Sequence, residues 1–91
     1  MRERSVEKSV CRWAKLNDIW AWKLTVIGWM GIPDRLFIFP DMTLVFIEFK
    51  APGKEARPLQ LAMHRKLRQR GFTVYVEDNK EHAIQVLTTH L

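Results

Sequence analysis

The segment Thr43–Lys50, TLVFIEFK, contains the most apolar run of the chain, yet two charges stand inside it. β-Branched and aromatic residues at this density specify a strand. Side chains alternate across a strand, so Val45, Ile47 and Phe49 take one face and Leu44, Phe46, Glu48 and Lys50 take the other. Glu48 and Lys50 are then same-face neighbours, with Cα atoms roughly 6–7 Å apart. A half-buried strand carries its charges on the outward face, and a fully buried one carries none. Any fold built on this strand must therefore account for a carboxylate and an ammonium at its end.

Arg35–Phe39 reads as a second strand, joined to the first through Pro40-Asp41-Met42 in a hairpin. The loop admits two registers. Pairing Phe39 with Thr43 sets Asp34 opposite Glu48, whereas pairing Phe39 with Leu44 sets it opposite Phe49. In both, Asp34 arrives near the Glu48 end. Two carboxylates converging beside a lysine raise each other's pKa unless a cation joins them. A divalent ion relieves that repulsion. Oxygen-only ligands suit Mg²⁺ or Mn²⁺, which take one or two carboxylates and complete their shell with waters and substrate phosphate. The lysine adds positive charge beside the phosphate and orients, or helps deprotonate, an attacking water. The plain alternative is an Asp that merely starts a turn and a solvated Glu-x-Lys pair; the position at the end of an apolar strand argues for the site.

The rest of the chain supplies the frame. Arg2 to about Leu16 has helical periodicity, with Val6, Val10, Trp13 and Ala14 on one side and Arg4, Lys8, Arg12 and Lys15 on the other. Ile19–Ile27 reads as a strand with Trp20, Trp22, Leu24 and Val26 on one face, followed by a turn over Gly28–Gly31. Pro58 opens a second helix whose buried stripe is Leu59, Met63 and Leu67, capped by Gly71. Phe72–Val76 forms a short strand, and Asp78 with Glu81 has capping-box spacing for a final helix to about Thr88. The expected fold is α/β, in the order α-β-β-β-α-β-α, a mixed sheet flanked by helices. At 91 residues the chain makes one domain.

Two inward polar residues point toward the same site. By helical projection Glu7 falls on the apolar side of the first helix, with Glu3 one turn earlier, and Gln60 falls within the stripe of the second. Buried carboxylates and amides need partners. For Glu3 the simpler reading is a favourable charge at a helix N-terminus.

Composition narrows the partners. Fifteen Lys and Arg against ten Asp and Glu leave +5, which favours a polyanion, nucleic acid before membrane. The lone Cys11 cannot pair within the chain, and no secretory leader is evident, so the expected location is cytoplasmic. No apolar run approaches the roughly 20 residues that span a bilayer.

Pro33-Asp34, Glu48-Phe49-Lys50 and Gln60, in this element order, resemble the PD-(D/E)XK nuclease superfamily and, within it, the VRR-Nuc (virus-type replication-repair nuclease) domains. The wider wording GIPDRLFIF, VFIEFKAPGKEARPLQ and LRQRGFTVYVED is similar to that family over residues 31–78. The resemblance implies a metal-dependent DNA endonuclease. Asp34, Glu48 and the Phe49 main-chain carbonyl would bind Mg²⁺ or Mn²⁺, Lys50 would be catalytic, and Gln60 would support Lys50 or the water. Glu7 matches the acidic residue on the first helix of many relatives, with Glu3 as the other candidate. Stand-alone domains of this kind, often encoded by phages, resemble Holliday-junction resolvases in size and homodimeric habit.

Lys54, Arg57, Arg65 and Arg68 are candidate DNA-phosphate contacts, Arg65 and Arg68 facing away from the buried stripe. Trp13, Trp20, Trp22 and Trp29 are expected in the core or a subunit interface rather than stacked on bases. His64, His82 and His90 lack ligand spacing. The rival function is a non-catalytic basic module that binds DNA or a repair protein through the same fold.

Overall fold

A computed structural model describes residues 2–91. The first helix, α1 (Glu3–Leu16), buries Val6, Val10 and Ala14 on one side. It ends in a tight reversal: the Asp18 N–H donates to the Lys15 carbonyl at 3.3 Å and the Ile19 N–H to the Ala14 carbonyl at 2.9 Å. Asp18 sits at φ 58°, a left-handed conformation that Asp tolerates better than most residues.

Four strands follow as one sheet: β1 (Trp20–Lys23), β2 (Arg35–Ile38), β3 (Leu44–Phe49) and β4 (Thr73–Glu77), in that spatial order. The first two pairings are antiparallel and the third is parallel. Helix α2 (Pro58–Gln69) connects β3 to β4, and α3 (Lys80–Thr88) closes the described chain. The order α-β-β-β-α-β-α is the one the sequence predicts.

Alternation along the strands divides the sheet into two unlike faces. Phe37, Phe39, Val45, Ile47 and Phe49 meet Val6, Val10 and Ala14 of α1 and Ala83 and Leu87 of α3, and this is the core. Truncating one of its aromatic residues, as in Phe49→Ala, should cost about 3–5 kcal/mol. The other face carries Leu36, Phe46 and Glu48 and is covered by α2 at one side only, so Trp20 and Trp22 lie on it more than half exposed, their rings stacked at 6.2 Å. Trp29 is exposed as well, and only Trp13 packs partly against the core, so of the two places expected for the tryptophans the core takes Trp13 alone.

Three local expectations are corrected. β1 stops at Lys23 rather than near Ile27; the Leu24 N–H still donates to the Asp34 carbonyl at 2.9 Å, but next on the neighbouring strand stands Pro33, which has no N–H to pair. In α2 the buried residues are Met63 and His64, with Leu59 exposed, because the helix is turned to bring Gln60 over β3. The cap of α3 is Asn79, whose side chain accepts the His82 N–H at 2.8 Å. Asp78 instead accepts the Gly53 N–H at 2.9 Å and ties down the turn after β3. No helix among the described residues is long and apolar enough to cross a membrane.

Candidate active site

The hairpin chooses the first of its two registers. Phe39 donates to the Thr43 carbonyl at 2.9 Å and Ile38 pairs with Leu44. The intervening loop places Met42 at φ 74°, and Asp41 accepts the Thr43 N–H at 3.0 Å, the geometry of a three-residue hairpin turn. Continuing this register past the Arg35–Ile47 pair sets Asp34 opposite Glu48.

Glu48 is 2% exposed. Its Oε2 accepts from Gln60 Nε2 at 3.0 Å and lies 3.3 Å from Lys50 Nζ. Its Oε1 is buried without a partner. Burial first, then the charge of Asp34, push this carboxyl up to about 7 against the opposing pull of Lys50; the charge of Glu3 pushes the same way. Asp34 is held by its backbone neighbourhood: Oδ2 accepts the Phe49 N–H at 2.9 Å. Lys50 is buried beyond the last residue of β3, where its own N–H donates to the Glu77 carbonyl at 2.9 Å and prolongs the sheet by one rung. Gln60 serves twice, since its Oε1 accepts the Arg57 N–H at 2.8 Å and secures the start of α2.

A divalent cation suits this donor set. The orphaned Glu48 oxygen lacks the partner that a buried carboxylate requires, and a second carboxylate faces it across the hairpin. Among the described residues no three acidic, His or Cys side chains gather tightly enough to enclose an ion alone.

Glu7 belongs to a neighbouring cluster. Its Oε2 accepts from Arg35 Nε at 2.6 Å and Lys23 Nζ at 3.0 Å, and the same Nζ lies 3.9 Å from Asp34 Oδ1. Burial alone would raise the Glu7 carboxyl, but the hydrogen bonds from Arg35 and Lys23 outweigh it and hold it below its ordinary range. Glu7 is thus joined to Asp34 through an ammonium, while Glu3 is the helix-α1 acid whose charge reaches Glu48.

Of the basic candidates, Lys54, Arg57 and Arg65 are exposed. Arg68 differs from expectation: its guanidinium folds back to donate to the Val74 carbonyl at 2.7 Å, which a long flexible stem allows even from an outward position. The sequence reading missed Lys23 and Arg35 as partners of Glu7. The available signal was that they pair across β1 and β2 and so share a face. It also missed His64, fully buried with neither ring nitrogen partnered, one helical turn after Gln60. Burial first, then the charges of Arg68 and Lys50, depress its pKa.

No family model matches the chain. Among curated proteins it is 39% identical over 82 residues to "Putative nuclease p44" of Acyrthosiphon pisum secondary endosymbiont phage 1, a match that covers 89% of this chain and 87% of that one. Among solved structures it superimposes on a chain titled "VRR_NUC domain" with a TM-score of 0.88 and 27% identity, covering 98% of this chain and 97% of the other. The relative of that name, matched over nearly the whole chain, and a near-complete structural match to the VRR_NUC domain agree with the hairpin, strand and helix on which the motif residues lie, and the chain belongs to the VRR-Nuc family.

Proposed function

We propose that residues 1–91 form one metal-dependent endonuclease domain that hydrolyses phosphodiester bonds in DNA. The observation that carries this reading is the buried Glu48 carboxylate, with one oxygen unpartnered and Asp34 opposite it. Asp34, Glu48 and the main-chain carbonyl of Phe49 would hold Mg²⁺ or Mn²⁺. Such an ion would supply Lewis-acid polarisation of the scissile phosphate and a lowered pKa for the attacking water. Lys50 presents a cation next to the developing phosphate charge, oriented by its contact with Glu48. Gln60 restrains Glu48 by hydrogen bonding one oxygen, and the other, unpartnered, would be available to the ion.

For the first helix, the ion pairing of Glu7 supports a positioning role, in which it keeps Lys23 beside Asp34, and Glu3 is the other acidic candidate for the ion. Arg57, Arg65 and Lys54 are exposed cations suited to DNA phosphates.

We also propose a homodimer that cuts four-way junctions in preference to linear duplex. Trp20, Ile38, Pro40, Met42 and Leu44, together with Asp18, line one largely apolar depression beside the open edge of β1, a surface that monomers seldom leave bare. Two sites related by a two-fold axis make paired incisions without dissociation.

The test is nicking of supercoiled plasmid with Mg²⁺ or Mn²⁺ against EDTA, followed by paired nicks on a labelled immobile junction and mass by light scattering. No metal-dependent nicking would overturn the catalytic reading. A monomer at micromolar concentration, or equal rates on junction and duplex, would overturn the dimeric one.

A further inference from the structure

Gln60, His64 and Arg68 are spaced by four and so follow one another along a single face of α2. Both ends of that row are tied to the sheet. Gln60 Nε2 donates to Glu48 Oε2 at 3.0 Å, and Arg68 Nη2 donates to the Val74 carbonyl at 2.7 Å. Val74 is the register partner of Phe46, and Val76 that of Glu48, so the row runs from the Glu48 level of the sheet toward the Phe46 level. His64 is its middle rung, fully buried in the layer between α2 and the sheet.

Three buried side-chain nitrogen or oxygen atoms among the described residues have no hydrogen-bond partner: Glu48 Oε1 and both ring nitrogens of His64. The helix row places them in the same layer. Buried polar atoms are almost always satisfied, and an imidazole kept only for its bulk is a poor choice where a leucine would fit. A neutral imidazole offers one donor and one acceptor nitrogen, whereas an ammonium has three donors and no acceptor. Burial first, then the charges of Arg68 and Lys50 against the opposing pull of Asp34, favour the neutral ring. Lys50, its side chain only 11% exposed, has Glu48 Oε2 as its single ion-pair partner among the described residues. A spare lone pair and spare N–H donors thus lie in one buried layer with no direct bond between them, and internal water is what fills such gaps.

We infer that His64 is a positioning residue for the reaction: its neutral imidazole, joined to the Lys50 ammonium through internal water, fixes where that cation stands beside Glu48. The inference rests on the nuclease reading above and adds to it a residue that touches neither phosphate nor ion. Glu48 then holds Lys50 from one side and His64 from beneath α2, so the cation has one place rather than several.

The test begins with plasmid nicking at saturating DNA. His64→Leu should lower kcat about 10- to 100-fold, the usual cost of removing an outer-shell partner, with KM changed less than about twofold. It should melt no lower than the wild type, because it takes hard-to-satisfy polar atoms out of the interior. His64→Gln, a neutral side chain that keeps both a donor and an acceptor, should retain at least about a third of kcat. A ring that merely packs predicts the reverse order, with Leu tolerated and Gln damaging. Independently of cleavage, nitrogen NMR of histidine-labelled, metal-free protein should show the His64 ring neutral, with its acceptor nitrogen shifted by Lys50→Met but not by Lys15→Met, which removes an exposed ammonium on α1. Wild-type kcat in His64→Leu, an equal loss in both His64 variants, or a ring unmoved by Lys50→Met overturns the inference. The NMR comparison decides it whether or not either His64 variant folds. If the wild type cuts no DNA the catalytic reading falls, and the response of the ring to Lys50→Met still tells whether the two residues are joined.

Discussion

Glu7 and Glu48 are both buried carboxylates, flanking Asp34 from opposite sides, and their environments differ in one respect. Glu7 has two cations on one oxygen and its pKa is lowered. Glu48 has one ammonium at 3.3 Å, an amide, a facing carboxylate and an empty-handed second oxygen, and its carboxyl rises to about 7. The first arrangement is electrostatically complete and holds elements together. The second leaves one buried oxygen without a partner and a carboxylate facing it, the observation on which the proposed metal site rests.

The largest expected effect breaks the incomplete side. Asp34→Ala, Glu48→Ala and Lys50→Ala should each remove at least about 99% of metal-dependent nicking, because each removes charge placed for the transition state. Circular dichroism should show the same fold in all three. Near wild-type cleavage by any of them would dissolve the distinction drawn between the two carboxylates.

Breaking the complete side should appear in stability instead. Arg35→Ala leaves the buried Glu7 with Lys23 alone and is expected to cost about 2 kcal/mol, below the usual range for an orphaned buried charge because one cation remains. Urea denaturation at pH 7 measures it, and a loss within about 0.5 kcal/mol of zero would show that Glu7 was never dependent on Arg35.

The two carboxylates should also respond oppositely to pH. A raised carboxyl stabilises the fold below its unfolded pKa of 4.5 and loses that contribution as pH climbs through about 7; a lowered one stabilises above its unfolded value and loses this as pH falls through the folded one. Metal-free protein should therefore weaken between pH 5 and 8 through Glu48. The ceiling is about 3 kcal/mol. Glu48→Gln forgoes part of that by weakening the contact with Lys50, so a gain of about 1 kcal/mol over wild type at pH 8 is the expected outcome of paired denaturation curves. Equal stability of the two proteins at both pH values would refute the raised carboxyl.

The smallest effect sharpens the division within α1. In calorimetric Mn²⁺ titrations, Glu3→Gln should weaken binding a few-fold by removing charge that reaches Glu48, whereas Glu7→Gln should change it less, since Lys23 stands between Glu7 and Asp34. A larger loss for Glu7→Gln would return that residue to the ion.

The motif residues Asp34, Glu48, Lys50 and Gln60 were legible because alternation and helical projection depend only on spacing, and the element order followed from periodicity and turn chemistry. The register of the hairpin was not legible, since two loop geometries connect the same strands; the left-handed Met42 and the Asp41 side chain chose between them. Nor were the partner of Glu7, the return of Arg68 to Val74 or the burial of His64, because each depends on the rotation of a helix against the sheet rather than on position in the chain. Local spacing by itself determined which residues share a face of one element. Only the packing of elements decided which of those faces meet, and therefore why one buried glutamate is neutralised by arginine while the other is left with an oxygen to offer a metal ion.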